Sequence, residues 1–334
     1  MHLDNHPISC HQLGRLYQLD GKQLQQQYKH HISDYKDWDQ KEHASEWMLF
    51  EENMGTHLSI DETALSNDEL YTIITNKAAK GRKGALVAMI KGTLADRVEE
   101  VLSRLTLKLR KRVQEVTLDM AANMNLIVKR CFPFAHRVID RFHIQQLAAE
   151  AVQEIRIKYR WQAIDEENEQ IGLARKAKLT YIQQLLPNGD SPKQLLARSR
   201  YLLFKQKIRW TPSQKQRAEL LFERYPRVKQ AYDLSMKLAD IFRQCKCKEE
   251  AFKKLALWHN EVESVGIESF RTVSRSIETH YAAILNFFNN RSTNASAESF
   301  NAKIKAFRAS ARGVRDIKFF LNITEGFLLI FILT

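Results

Sequence analysis

Glycine and proline are scarce in this chain, which has eleven glycines and six prolines among 334 residues. Hydrophobic residues make up 44% of it. This composition excludes a collagen-like or low-complexity protein and argues against intrinsic disorder. The length is sufficient for about two domains and at least one substantial core. We therefore expect a folded globular protein.

Cysteine is scarce too, and long hydrophobic runs are absent. The four cysteines lie at positions 10, 131, 245 and 247, and no two have the Cys-x-x-Cys spacing of a zinc ribbon. Cys245 and Cys247 form a weak metal pattern that is better interpreted as two incidental thiols. The longest apolar run, residues 327–333, is too short to span a bilayer, and no signal core follows the N-terminus. We expect a cytoplasmic protein in a reducing compartment.

Acidic residues are outnumbered by basic ones. Fifty-two Lys and Arg against thirty-nine Asp and Glu give a formal net charge of +13 and a pI near 9.5. A surplus of this size is typical of proteins with a polyanionic partner such as nucleic acid. Charge alone leaves open a basic soluble protein without a nucleic-acid role.

Residues 8–30 have the pattern of two short amphipathic helices with a turn at Leu19, Asp20 and Gly21, where glycine can adopt a left-handed conformation. Two interpretations remain open. The segment is either a helix-turn-helix whose second helix enters a DNA major groove, or a plain helical hairpin. Residues 31–50 are interpreted as a polar connector.

From residue 56 onward the pattern changes to short β-type runs separated by turns. Three such runs come first, followed by a helix at 94–112, a strand, a helix at 123–132 and a last strand. This order predicts an α/β protein with an RNase-H-like mixed five-stranded sheet, in which the first strand lies beside the fourth. The five predicted strands are Thr56–Asp61, Leu70–Thr75, Ala85–Lys91, Gln114–Asp119 and His136–Asp140.

Residues 144–290 show helical periodicity without a strand signal, and one of the predicted helices is Tyr181–Leu186. We interpret this stretch as an all-helical insertion into the catalytic fold, and an independent helical domain is the alternative. The predicted organisation has four parts: a helical segment at 1–55, the first part of a catalytic core at 56–143, the insertion at 144–290, and a C-terminal basic helix at 291–334.

Three acidic residues stand at the ends of predicted elements. Asp61 and Asp119 each close a strand, and Glu298 opens the basic helix. Two Mg²⁺ ions held by carboxylates can activate the attacking oxygen of a phosphodiester and stabilise the leaving one. In this hypothesis Asp61 bridges two Mg²⁺ ions, with Mn²⁺ able to substitute, and Asp119 and Glu298 each bind one. Glu62 should point to the other side of its strand.

Asp140 ends the last predicted strand, and His143 follows three residues later. Two interpretations have equal weight. The pair could lie near the metals as a supporting or phosphate contact. Alternatively, Asp140 is the N-cap of a helix that starts at Arg141, with His143 in its first turn.

Residues 291–318 carry seven basic side chains against two acidic ones. Glu298, Asn301 and Lys305 share one helical face, while an apolar face at Phe300, Ile304 and Phe307 would anchor the helix on the sheet. Asn301 could assist Glu298 as a supporting or phosphate contact. A solvated basic helix is the alternative to DNA binding. The candidate DNA-binding residues are Lys303, Lys305, Arg308, Arg312 and Arg315.

Four segments together resemble the ISL-three family of bacterial insertion-sequence transposases, which have a DDE catalytic domain. They are SIDE at 59–62, VTLDM at 116–120, FPFAHRVIDRFHI at 132–144 and RSTNASAESFNAKIKAFRASARGVRDIKFF at 291–320. The resemblance covers roughly residues 56–320. It implies an RNase-H-like enzyme that uses Mg²⁺ to cut DNA at transposon ends and join those ends to target DNA. A homo-oligomer is expected, because two ends must be held together, and so is a location at the bacterial nucleoid.

The resemblance places Asp61, Asp119 and Glu298 on the catalytic positions, and Asp140 and His143 on an Asp-x-x-His signature. The chain departs from the family pattern in lacking a zinc ribbon before the first strand and in its tail, NITEGFLLIFILT. End recognition is then expected from residues 8–30 or from a separate partner protein. A catalytically inactive or domesticated DNA-binding repressor is the alternative function, and another RNase-H-like nuclease is disfavoured by the large insertion.

Overall fold

The structure is a computed structural model that describes residues 8–64, 69–310 and 316–330, without the side chains of 307, 310 and 324–330. The chain forms two compact units. The first contains the chain up to Asp140 and resumes at Ser292, and the second is Arg141–Arg291.

The first unit is built on one mixed sheet with the strand order β1-β4-β3-β2-β5-β6. β1 pairs with β4, β4 with β3 and β3 with β2, all in antiparallel fashion. The pairs β2 with β5 and β5 with β6 are parallel. Two parallel strands therefore extend from the centre of an antiparallel meander. The strands are β1 (Trp47–Leu49), β2 (His57–Ala64), β3 (Leu70–Asn76), β4 (Leu86–Lys91), β5 (Glu115–Leu118) and β6 (His136–Ile139).

The sheet has one strand more than the five that the sequence predicts. β1 lies in the stretch interpreted as a polar connector, and it pairs with β4 through Trp47 opposite Ile90. Its three residues are too few to show the alternation of polar and apolar side chains by which strands are recognised. The strand is therefore specified by its pairing partner rather than by its own pattern.

Three helices lie between β4 and β6 along the chain: α3 (Ala95–Leu102), α4 (Leu107–Lys111) and α5 (Ala122–Cys131). Of these, α3 and α5 pack on the sheet and on each other. Apolar residues of α3 and α5, such as Val98 and Ile127, are fully buried. The single helix predicted over 94–112 is wrong, because the chain turns after α3 and Thr106 starts α4 by accepting the backbone N–H of Leu109.

The face of the sheet that carries Ile73 and Met89 is covered by two C-terminal helices, α13 (Ala295–Ser310) and α14 (Ile317–Ile330). Phe300 and Ile304 of α13 are 1% exposed and pack in the same core as Ile73. Burial of each such side chain contributes about 1.5–3 kcal/mol. The predicted apolar anchor at Phe300 and Ile304 is thus present, and it fixes which side of α13 faces the sheet.

The N-terminal pattern corresponds to helices α1 (Cys10–Tyr17) and α2 (Gly21–Gln27). The turn between them differs from the prediction, since the left-handed residue is Gln18, with φ of 58°, and not Gly21. Gly21 instead begins α2 at a close helix crossing, where a Cβ would lie 2.7 Å from the Cα of His11. The two helices are therefore closely packed through glycine.

The second unit contains only helices and turns among its described elements. Its longest helix, α6, is Arg141–Lys176, and the helix Pro226–Gln244 packs along it. The predicted helix at Tyr181–Leu186 is wrong: these residues form no regular structure, and Ile182 is 86% exposed. The other helices are α7 (Pro192–Arg198), α8 (Pro212–Arg224), α9 (Pro226–Gln244), α10 (Lys248–Val265), α11 (Glu268–Thr279) and α12 (Tyr281–Asn290).

Across the described parts of both units, none of the helices combines the length and the apolar character that a bilayer crossing requires.

Candidate active site

The parallel pairing of β2 with β5 places Asp61 and Asp119 at the same edge of the sheet. Ser59 lies opposite Thr117, so two residues further along each strand Asp61 comes level with Asp119. Residues two apart on a strand point to the same face. In the same way, Leu118 lies opposite Ile139, which brings Asp119 level with Asp140 one residue later. Three aspartates therefore lie side by side across three neighbouring strands. Asp119 and Asp140 directly follow β5 and β6, but Asp61 lies inside β2. The prediction that Asp61 closes its strand is wrong, because the antiparallel pairing with β3 extends β2 as far as Ala64.

The carboxylates of Asp61 and Asp119 are partly exposed and held by neighbouring N–H groups. Asp61 accepts the backbone N–H of Glu62 at 2.9 Å and the side-chain amide of Asn301 at 2.7 Å. Asp119 accepts the backbone N–H of Ala121 at 2.8 Å. Each carboxylate is thus oriented by an N–H donor and still reachable from solvent, as a metal ligand must be.

Glu62 alternates with Asp61 along β2, opposite Thr72 of β3, as its position in a strand predicts. Burial raises the pKa of Glu62, and the negative charges of Asp119 and Asp61 raise it further. Three carboxyl groups consequently influence one another at this edge of the sheet. A bound cation would relieve that repulsion.

The helix α13 contributes Asn301 and Glu298 in different ways. Asn301 is buried at 5% exposure and reaches Asp61, whereas Glu298 is exposed in the first turn of the helix. The shared face predicted for Glu298, Asn301 and Lys305 is therefore divided, because the sheet covers Asn301 but leaves the other two at the surface. Asn301 therefore links α13 directly to the Asp61 carboxylate.

No group of three His, Cys, Asp or Glu side chains is close enough to hold a metal ion within the described ranges of the chain. The structure brings Asp61 and Asp119 to one sheet edge, with Glu298 on the adjacent helix turn. Carboxylate oxygens are the donors that Mg²⁺ prefers. The side-chain oxygens of Ser59 and Asn301 are buried without a hydrogen-bond partner among the described residues. The donor types beside Asp61 therefore fit a hard divalent cation.

Asp140 is almost fully buried, at 1% exposure. Its carboxylate accepts the backbone N–H of Asn294 at 2.7 Å, and the carbonyl of Asn294 accepts the N–H of Glu298 at 2.9 Å. Asp140 therefore connects the end of β6 to the start of α13. His143 belongs to the second unit, in the first turn of α6, where its ring packs edge-on against Phe142.

The predicted DNA-binding residues have different environments. Lys305 is exposed, Lys303 is half-buried, and the guanidinium of Arg308 lies 4.8 Å from the ring centre of Phe320. Arg312 and Arg315 lie outside the described residues.

A buried ion pair that sequence reasoning missed lies on the same face as Asp119. Lys77 follows β3, and its ammonium approaches Glu115 at 3.3 Å and donates to the hydroxyl of Thr117 at 2.7 Å. Burial lowers the pKa of Lys77, and the negative charges of Glu115 and Asp140 oppose that shift. The available signal was Glu115 itself, a charged residue that opens the otherwise uncharged strand Glu115–Leu118.

The comparison with family models decides the class of the protein. A model described as Transposase, of the ISL-three (ISL3) DDE type, matches residues 58–324. The chain belongs to the ISL3 family of transposases. The match extends over Asp61, Asp119 and Glu298 of this ISL3 transposase, and the family implies DNA as a partner. No curated protein and no solved structure matched the chain.

Removal of the buried ammonium should destabilise the transposase. Lys77→Met leaves Glu115 buried without its cation, which costs about 3–5 kcal/mol in comparable pairs. The double variant Lys77→Met, Glu115→Gln should recover most of that loss, because neither charge remains. Urea denaturation of the wild type and of the single and double variants measures the difference. Lys108→Met, at an exposed site on α4, is the control and should leave the midpoint unchanged. Equal midpoints for Lys77→Met and the control would contradict the pairing.

Proposed function

We propose that this transposase cuts DNA at transposon ends and joins them to target DNA, with Asp61, Asp119 and Glu298 as ligands of Mg²⁺. The observation that carries the proposal is the parallel register of β2 and β5, which places Asp61 opposite Asp119. The hydrogen bond from Asn301 to Asp61 adds the helix on which Glu298 lies. The arrangement supports phosphoryl transfer, because carboxylates from separate elements converge at one edge.

We also propose that the catalytic unit is RNase-H-like. Without the edge strand β1, the order β4-β3-β2-β5-β6 has three antiparallel strands followed by two parallel ones. In chain order β2 is the first strand of these five and β5 is the fourth, and the two lie side by side, as the sequence predicts. This agreement in strand order and direction supports the assignment.

The chain's own residues orient the ligands and the substrate in this mechanism. The Ala121 N–H fixes one oxygen of Asp119, and the Asn301 amide fixes one oxygen of Asp61. The other oxygen of Asp61 accepts the backbone N–H of Glu62. A carboxylate has about four lone-pair sites, so both aspartates can still bind a metal ion. Mg²⁺, when bound, supplies charge that activates the attacking oxygen and stabilises the leaving one. Glu298 would complete the ligand set from α13, and the exposed Lys305, about two turns further along the helix, would contact a phosphate.

Cleavage of labelled DNA that carries the element's own ends tests the proposal, with Mg²⁺, Mn²⁺ or EDTA present. We expect metal-dependent nicking at the end boundary. Glu298→Gln should keep less than about a tenth of that activity, because it removes one anionic ligand. Glu249→Gln is the matched control, since Glu249 is also an exposed first-turn glutamate, in α10. This control should cleave like the wild type.

The outcomes separate the alternatives. Full activity of Glu298→Gln would remove Glu298 from the ligand set and leave the transposase class intact. Binding of the ends without nicking by the wild-type chain would instead favour the inactive, repressor-like protein.

A further inference from the structure

The connection between β3 and β4 carries a concentrated positive charge beside the candidate site. Residues 77–84 read KAAKGRKG, with four basic side chains and no acidic one. Lys77 is used internally, in its pair with Glu115. Lys80, Arg82 and Lys83 are exposed, and none of them has an ion pair with an acidic group in the described part of the chain. We call these three residues the basic hairpin tip.

The basic hairpin tip lies next to the helix that carries Glu298. A Cβ placed on Gly81 would be 3.7 Å from the carbonyl oxygen of Ser296, two residues before Glu298. The other end of the connection is attached through Lys77 to Thr117, two residues before Asp119. The hairpin therefore contacts both elements that present candidate metal ligands.

The backbone of this connection is fixed by its own hydrogen bonds. Arg82 N–H donates to the carbonyl of Ala79 at 2.9 Å, and Ala85 N–H donates to the carbonyl of Arg82 at 2.9 Å. Lys80 and Gly81 both have positive φ, at 51° and 71°, which turns the chain sharply between the strands. A preorganised loop loses little conformational entropy when it binds, so its cations can act as a rigid phosphate contact.

We propose that the basic hairpin tip binds the phosphodiester backbone of the DNA strand beside the candidate active site. Exposed lysine and arginine side chains without acidic partners are complementary to a polyanion, and binding to them releases counterions. The position beside Ser296 puts these contacts close to the bond to be cut. This assignment rests on the proposed function for its choice of DNA. It adds a contact surface on the sheet side, separate from the basic residues of α13.

The test compares two triple variants of the full chain that remove equal charge. Lys80→Gln, Arg82→Gln, Lys83→Gln neutralises the hairpin tip. The control neutralises Lys108, Arg112 and Lys129, which are exposed and lie toward the opposite ends of β5 and α5 from Asp119. Binding of a fluorescent DNA duplex is measured in EDTA between about 0.05 and 0.3 M salt. Circular dichroism checks that each variant is folded. If the hairpin triple variant is unfolded, the single variant Lys83→Gln is measured in its place.

The salt dependence decides the result. Each lost phosphate contact should reduce the magnitude of the slope of log Kobs against log salt by about 0.9. The slope of the hairpin triple variant should therefore be smaller in magnitude than that of the wild type by up to about 2.7. Its affinity should fall by roughly tenfold or more at physiological salt, while the control changes little. Equal slopes for the two triples, or no DNA binding by the wild type, would overturn the assignment. Because EDTA removes any metal, a failure of cleavage in the separate nicking assay would count against the proposed function alone.

Discussion

Asp119→Asn is expected to lower metal-dependent DNA cleavage by at least about 10³-fold, since loss of an anionic ligand forfeits several kcal/mol of stabilisation by the metal. The change should not unfold the protein. The asparagine side-chain oxygen can still accept the N–H of Ala121, which Asp119 accepts at 2.8 Å. Asp61→Asn should lower cleavage to the same extent, because it also removes an anionic ligand. Its side-chain oxygen can still accept the amide N–H of Asn301. Single-turnover cleavage of end-labelled DNA measures both losses.

Asp39→Asn is the control for these two variants. Asp39 is exposed and lies before β1, so its neutralisation removes the same charge without touching the strand ends. Duplex binding in EDTA should be equal or slightly tighter for Asp119→Asn, because a negative charge near the polyanion is gone. If Asp119→Asn retained more than about a tenth of wild-type cleavage, Asp119 would not be a metal ligand.

The alignment of Asp61 with Asp119 could be predicted from sequence because it depends on strand order alone. Parallel neighbours place matching positions of their strands side by side, and both aspartates follow stretches with clear β-type composition, although β2 continues past Asp61 to Ala64. The apolar anchor of α13 was equally accessible, since Phe300 and Ile304 are spaced by one helical turn. Local patterns therefore gave five strands of the mixed sheet and the packing of α13 on it.

Contacts between residues distant in sequence could not be predicted in the same way. The pairing of Lys77 with Glu115 spans 38 residues, and neither side chain reveals its partner. The strand β1 has only three residues, too few for a recognisable alternation of polar and apolar side chains, and it is defined by its pairing with β4. The predicted helix at Tyr181–Leu186 had little more than one turn of periodicity, with Pro187 directly after it. Each of these depends on tertiary context that a short pattern does not contain.

Asp140→Ala is expected to reduce cleavage by about 10²-fold, because a small misplacement of a catalytic group can cost that much. Asp140 holds the N–H of Asn294 at 2.7 Å inside the protein, directly before the turn that carries Glu298. Removal of the acceptor leaves a buried N–H unsatisfied, at a cost of about 1–3 kcal/mol. The start of α13 should then loosen, and hydrogen exchange of the amides from Asn294 to Glu298 should become faster.

Asp140→Asn distinguishes positioning from direct participation. Its side-chain oxygen can still accept the Asn294 N–H, so a positioning residue should keep most of its cleavage activity and its slow exchange in this variant. If Asp140 contacted the metal or a phosphate, Asp140→Asn and Asp140→Ala would lose activity alike, and the Mg²⁺ concentration for half-maximal rate would rise in both. Burial of Asp140 at 1% exposure favours the first result, because a carboxylate closed off from solvent by the chain around it has no open path to substrate. The aspartate after β6 would then serve to place the helix of Glu298 beside Asp61 and Asp119.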